Sequence, residues 1–211
     1  MKKKEESFFK LLTQKPWEAS QAILDNEHDG KTLAVSKAKL GVRTIMVVST
    51  VIFSLFVVSY SDRMVIHDWR SLSEPWLLWI NTVILILTSI IFHRTKVLAE
   101  NNEFEKTKNS LFVVGFLTFT FITGQLLFWQ HFVNLGQYAS TIPANAFFYV
   151  LTALHGLHVL GGLYYWAKVT TQLFKDNYNI SKIKQNIELC AIYWHFLLIV
   201  WFVLFGLMVA T

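Results

Sequence analysis

The chain has 211 residues, of which 54% are hydrophobic and 16% charged, and its formal net charge is +5. A soluble domain carries about a quarter charged residues, so this composition belongs to an integral membrane protein. A lone cysteine, Cys190, excludes an internal disulfide framework or thiolate cluster, and the basic residues lie between apolar runs, where they set topology rather than bind nucleic acid.

Residues 1–39 form a polar N-terminal segment of mixed charge. Phe8, Phe9, Leu11, Leu12, Trp17, Ile23 and Leu24 allow short amphipathic pieces at the membrane surface, interrupted at Pro16. The alternative is a partly disordered tail. The run after the opening MKKKEE is too short and broken for a signal peptide.

Five apolar segments follow, near residues 40–60, 75–92, 110–129, 143–167 and 188–210. Each has roughly the 20 residues that cross about 30 Å of hydrocarbon as a helix. The expected fold is therefore an all-α membrane protein, a bundle of five transmembrane helices over residues 40–211. Pro75 and Pro143 stand near helix starts, where a missing N–H is harmless, and Ser140 or Thr141 is placed to cap the fourth helix. Trp76, Trp79, Trp129, Trp166 and Trp194 lie towards segment ends, as in interfacial aromatic belts. The polar stretch from Thr95 is expected to prolong the second helix and then turn.

Lysine and arginine alternate in density. The N-terminal segment carries eight, loop 93–109 four and loop 168–187 four, while loop 61–74 carries two and loop 130–142 none. The positive-inside rule then places the N-terminus in the cytoplasm and the C-terminus outside. Arg43, just inside the first apolar run, either snorkels to the interface or holds a lipid phosphate.

The polar residues within the spans are few. On the fourth helix Thr152, His155, His158 (or Val159) and Gly162 share one face, which must point at protein because lipid offers no hydrogen-bond partner. Gly156, Gly161 and Gly162 are placed to admit a neighbouring backbone, so this helix is expected in the bundle interior. His155 and His158 are either a ligand pair or proton relay, or neutral rings bonding to facing helices. The second reading is favoured, because a metal or haem centre needs more ligands than the three histidines well inside apolar segments, His155, His158 and His195. A charge there costs several kcal/mol, so His195 is read as a helix–helix hydrogen-bond partner. Glu188 collects protons or meets a lipid headgroup, or else is an anion stabilised at a helix N-terminus. Asn81, Thr82, Gln125, Gln130, Asn134 and Gln137 are expected to bond between helices.

The stretches HGLHVLGG from His155, YWHFLLIVWFVLF from Tyr193 and LWINTVILILTS from Leu78 occur in the order found in subunit III of the haem-copper respiratory oxidases. Together they make residues 40–210 resemble that family, in its short five-helix bacterial form. Glu188 matches the family's acidic residue at the start of the last helix. Two departures stand out: where the family usually carries acidic residues, this chain has Ser49 or Thr50 within VVSTVIF, and Leu198.

The resemblance implies a non-catalytic subunit of a terminal oxidase in the bacterial inner membrane, with no catalytic residue of its own. It implies haem and copper held by partner subunits, bound phospholipid, direct docking on the catalytic subunit I with subunit II and other respiratory-complex subunits as further partners, and support of proton uptake. His155, His158, His195, Glu188, Trp194, Trp201 and Arg43 would then serve structure, interface or lipid. YWHF leans towards a cytochrome c oxidase. Alternatives are the same fold in a quinol oxidase or nitric oxide reductase, or a small membrane haem protein with His155 or His158 paired to His195. A channel or transporter ranks last, since no charged residue lies at mid-depth of a helix.

Overall fold

The computed structural model describes residues 37–70, 76–174 and 179–210. Most of the N-terminal segment, its amphipathic pieces and Pro75 lie outside the described residues. Residues 41–211 form one compact unit.

Five helices account for nearly all of the described chain: α1 Lys37–Met64, α2 Trp76–Glu100, α3 Phe104–Asn134, α4 Pro143–Leu173 and α5 Ile180–Val209. Each is long and apolar enough to cross a membrane. All five overrun the expected segments, because polar residues continue the helices beyond the hydrocarbon.

Two helix ends explain the tight hairpins. After α2, Asn102 adopts φ 63°. Its N–H reaches Ala99 O and the Glu103 N–H reaches Leu98 O, closing the orphan carbonyls in a Schellman turn that leads straight into α3. After α3, Gly136 at φ 73° does the same, with Gly136 N–H to Val133 O and Gln137 N–H to Phe132 O. The fourth helix has no side-chain cap: its N-cap is Ile142, and Thr141 Oγ1 instead donates to Gly136 O. The cap expected from Ser140 or Thr141 is therefore absent, because Thr141 is folded back on the preceding turn. Asn179 caps α5, accepting from Lys182 N.

The backbones of α2, α3, α4 and α5 pack in a ring, each against the next, with α5 closing on α2. Among the described residues no Cα of α1 comes within 8 Å of a Cα in another helix. The fourth helix is accordingly not the centre of the bundle. Its buried residues form one face, running from Ala144 through Thr152, His155, Val159 and Gly162 to Leu173, while Leu157 and Tyr164 face outward. The most extensively buried helix is α5, which carries Trp194, Leu197, Trp201 and Leu204 inward.

Of the glycines on α4, Gly156 and Gly161 have nothing within 4 Å of a notional Cβ, and Gly162 meets the rings of Trp194 and Tyr193, not a backbone. The close approaches are elsewhere. A Cβ on Gly115 would run into the Trp166 ring, and one on Gly124 into the Asn81 amide. These small residues let α3 close on α4 and on α2.

Candidate functional site

The polar residues of the spans form a series of contacts down the bundle. Near one end, Trp129 Nε1 donates to Thr152 Oγ1 (3.1 Å), joining α3 to α4. Deeper, Asn81 Nδ2 donates to Gln125 Oε1 (3.4 Å) and Trp201 Nε1 donates to Thr82 Oγ1 (2.9 Å), tying α2 to both α3 and α5. Towards the other end Ser89 Oγ and His195 Nδ1 make a very short hydrogen bond between α2 and α5. Trp166 Nε1 reaches Leu111 O, and Tyr165 O–H donates to Asn186 Oδ1. Lipid offers no substitute for any of these partners, so each bond fixes a helix register.

The two histidines of α4 divide. His155 is fully buried, with Trp201 at 5.1 Å and Phe121 at 6.1 Å between ring centroids. Neither of its ring nitrogens has a hydrogen-bond partner. One turn on, His158 is half-buried and uses both nitrogens: Nδ1 lies 2.8 Å from Leu154 O and Nε2 2.8 Å from Ser49 Oγ. A carbonyl only accepts, so in the neutral ring Nδ1 carries the proton and Nε2 accepts the Ser49 hydroxyl. Phe53 of α1 lies 5.3 Å from the same ring. Tyr193 O–H donates to His158 O (3.2 Å) from α5.

Trp194 is buried against Phe92 (4.9 Å), so it belongs to the core and not to an interfacial belt. Trp76 and Trp79 are exposed as a belt requires. Trp201 is buried at the bundle centre, its ring edge-on to Phe121 at 5.2 Å. Glu188 lies more than two turns into α5, which begins at Ile180, so the N-terminal dipole does not explain it. Its carboxylate lies 3.8 Å from Lys96 Nζ, and Lys96 also approaches Glu100. His93 stands 6.0 Å from His195, which gathers His93, Lys96, Glu188 and His195 along the C-terminal half of α2 and the facing stretch of α5 up to its midpoint. Arg43 is exposed on α1.

Sequence patterning missed the partners Ser49, Ser89 and Lys96, whose types are too common to signal a role. A groove of about 470 Å³ runs between α1 and the bundle, lined by Val42, Ile45, Leu154, His158, Gly161 and Tyr165 among others. A second, of about 320 Å³, separates the far half of α1 from α5.

The profile of cytochrome c oxidase subunit III matches residues 10–210, almost the whole chain. The chain belongs to the cytochrome c oxidase subunit III family. Cytochrome c oxidase subunit 3 of Synechocystis sp. is 29% identical over 173 residues, covering 78% of this chain and 72% of that protein. Cytochrome c oxidase subunit 3 of Thermostichus vulcanus is 27% identical over 129 residues, covering 61% of this chain and 63% of its own length. Cytochrome bo(3) ubiquinol oxidase subunit 3 of Buchnera aphidicola is 34% identical over 108 residues, covering 48% of this chain and 55% of that one. The matched stretches therefore span less than two thirds of the last two relatives, 63% and 55% of their lengths. The subunit III family assignment and the five spanning helices together make this a multi-pass membrane protein.

Proposed function

We propose that this chain is the non-catalytic subunit III of a haem-copper terminal oxidase, a cytochrome c oxidase, in the inner membrane of a bacterium. It docks directly on the catalytic subunit I, in a complex with subunit II and other respiratory-complex subunits, carries phospholipid in its grooves, and supports proton uptake and turnover. Its N-terminus is cytoplasmic, in keeping with the basic residues crowded at one end of the bundle. Haem and copper reside in the partner subunits.

The observation that carries this reading is the family match over residues 10–210. The state of the three membrane histidines supports it. His158 has both nitrogens engaged, His195 Nδ1 is taken by Ser89, and His155 is flanked by Phe121 and Trp201. His158 offers no free nitrogen and those of His155 are walled in by Phe121 and Trp201, so neither leaves room for the iron of a haem shared with His195. The grooves beside α1 support lipid binding, being lined almost entirely by apolar side chains. The cluster of Glu188, Lys96, His93 and His195 supports a role near proton entry. Ser49 and Leu198 carry no carboxylate, so an internal relay through those positions is not part of the proposal.

The test is to tag the chain, extract it from native membranes in mild detergent, and record the reduced-minus-oxidised spectrum beside that of the chain expressed alone. Haem bands in the native preparation only are expected. Haem in the lone chain would overturn the assignment. The similarity to the ubiquinol oxidase subunit favours one second reading, the same role in a quinol oxidase, and the haem type in the native spectrum separates the two.

A further inference from the structure

On the face where α2 meets α3, a groove of about 500 Å³ is lined by Arg94, Lys106, His93 and Asn109 together with Ile91 and Val113. No carboxylate lines it. Its position is that of a membrane boundary: Arg94 follows Trp76 by 18 residues, or about 27 Å of helix, close to the hydrocarbon thickness.

The cations around it are not equivalent. Lys96 approaches Glu100 and Glu188, Lys106 pairs with Glu103, and Lys108 pairs with Glu105. Among the described residues Arg94 has no ion pair and no hydrogen bond. Its planar fork matches phosphate geometry better than an ammonium does. Ile91, Val97, Leu98 and Val113 make the rest of the lining apolar. Further along the same α2–α3 seam lies another groove of about 400 Å³, between Leu77, Ile80, Ile84, Phe116, Phe119 and Leu127.

The geometry points to an anionic phospholipid site on the α2–α3 face, with the phosphate on Arg94, Lys106 exchanging its exposed pair with Glu103 for the same headgroup, and an acyl chain along Ile91 and Val113. A free phosphate would use the cations and leave the apolar wall without a partner, whereas an amphiphile matches both. The site is separate from the grooves beside α1. It deepens the lipid-binding part of the proposed function and does not depend on which oxidase the chain joins.

Native mass spectrometry of the full chain, titrated with dioleoyl phosphatidylglycerol or dioleoyl phosphatidylcholine, tests the site. Two cations near a headgroup predict a preference for the anionic lipid of about tenfold or more. The double variant Arg94→Gln/Lys106→Gln should lose that preference, and Lys168→Gln should keep it. Equal loss in Lys168→Gln, or none in the double variant, would overturn the site in favour of diffuse charge attraction. Inorganic phosphate that displaces the lipid at equal concentration would overturn the lipid assignment. A phosphatidylglycerol with a photoreactive acyl chain keeps the test open if the variants fail to fold: labelling of peptides containing Ile91 or Val113 in the wild type is expected, and labelling confined to other helices refutes the proposal. Loss of this site would leave the haem co-purification test of the proposed function untouched.

Discussion

Ser49 and His158 join α1 to α4 through a 2.8 Å hydrogen bond although no Cα of α1 comes within 8 Å of a Cα in another helix. The serine stands in the stretch where the subunit III family usually has an acidic residue. A hydroxyl there keeps a polar link to the histidine while placing no charge in the membrane.

Polar pairs between membrane helices contribute about 0.6 kcal/mol on average and about 1.7 at most. Ser49→Ala and His158→Leu are each expected to lower the stability of the chain by that order in detergent unfolding. A double-mutant cycle should return a coupling of the same size. Additive effects would mean that the bond does not hold α1.

Glycines on two faces should behave oppositely. Gly115→Ala drives a methyl into the Trp166 ring, which is itself pinned by its bond to Leu111 O. A loss of about 1–3 kcal/mol is expected, as for an overpacked core. Gly156→Ala and Gly161→Ala meet nothing within 4 Å, so the gain in helix propensity, about 1 kcal/mol each, should appear as a raised melting temperature. A destabilised Gly161→Ala would instead reveal a partner chain on that face.

His155 holds two unbonded ring nitrogens in the bundle core. Their desolvation costs about 1–3 kcal/mol, and ring packing against Trp201 and Phe121 returns about 0.5–1.5. His155→Leu removes both effects, so the unfolding free energy of the isolated chain should stay within about 1 kcal/mol of wild type. The haem spectrum of the native complex should be unchanged. A lost haem band would show the imidazole to be a ligand.

Outside the spans, the Arg63 guanidinium donates to both oxygens of Asp68, at 2.7 and 2.6 Å, and holds the Asp68 carboxyl below the usual carboxylate range. A depressed folded-state value stabilises this loop above the ordinary aspartate range near about pH 4, and that contribution is lost as pH falls through the depressed value. An NMR titration of Asp68 should show a midpoint below that of a model peptide, and Arg63→Gln should move it back up. Both groups are exposed, so high salt should shrink the difference.

The five spans were legible because nothing but a helix satisfies the backbone in lipid, and runs such as residues 188–210 declare themselves by length. The inward stripe of α4 was legible too, since Thr152, His155 and Gly162 repeat at helical spacing and are buried. The centre of the bundle was not. Leu and Tyr read as apolar whether they face protein or lipid, so α4 looked interior while α5 is the more buried helix. The role of Trp194 is hidden for the same reason, because a tryptophan suits an interface and a core alike. Glu188 was placed at a helix start since the apolar run begins there, yet Asn179 caps α5 two turns earlier. Side-chain partners such as Ser89 with His195 depend on how two distant spans are rotated, which no single span encodes.

Among the contacts of the first helix are those of Ser49 and Phe53 with His158, and of Tyr60 with Phe147 at 5.4 Å. All three are anchored on α4. A change of tilt in α1 thus disturbs these contacts on α4 and the groove it shares with α5. The ring of α2 to α5 is closed by backbone-to-backbone packing, whereas α1 is held to it by side chains such as Phe53 and Tyr60, which reach into the same core.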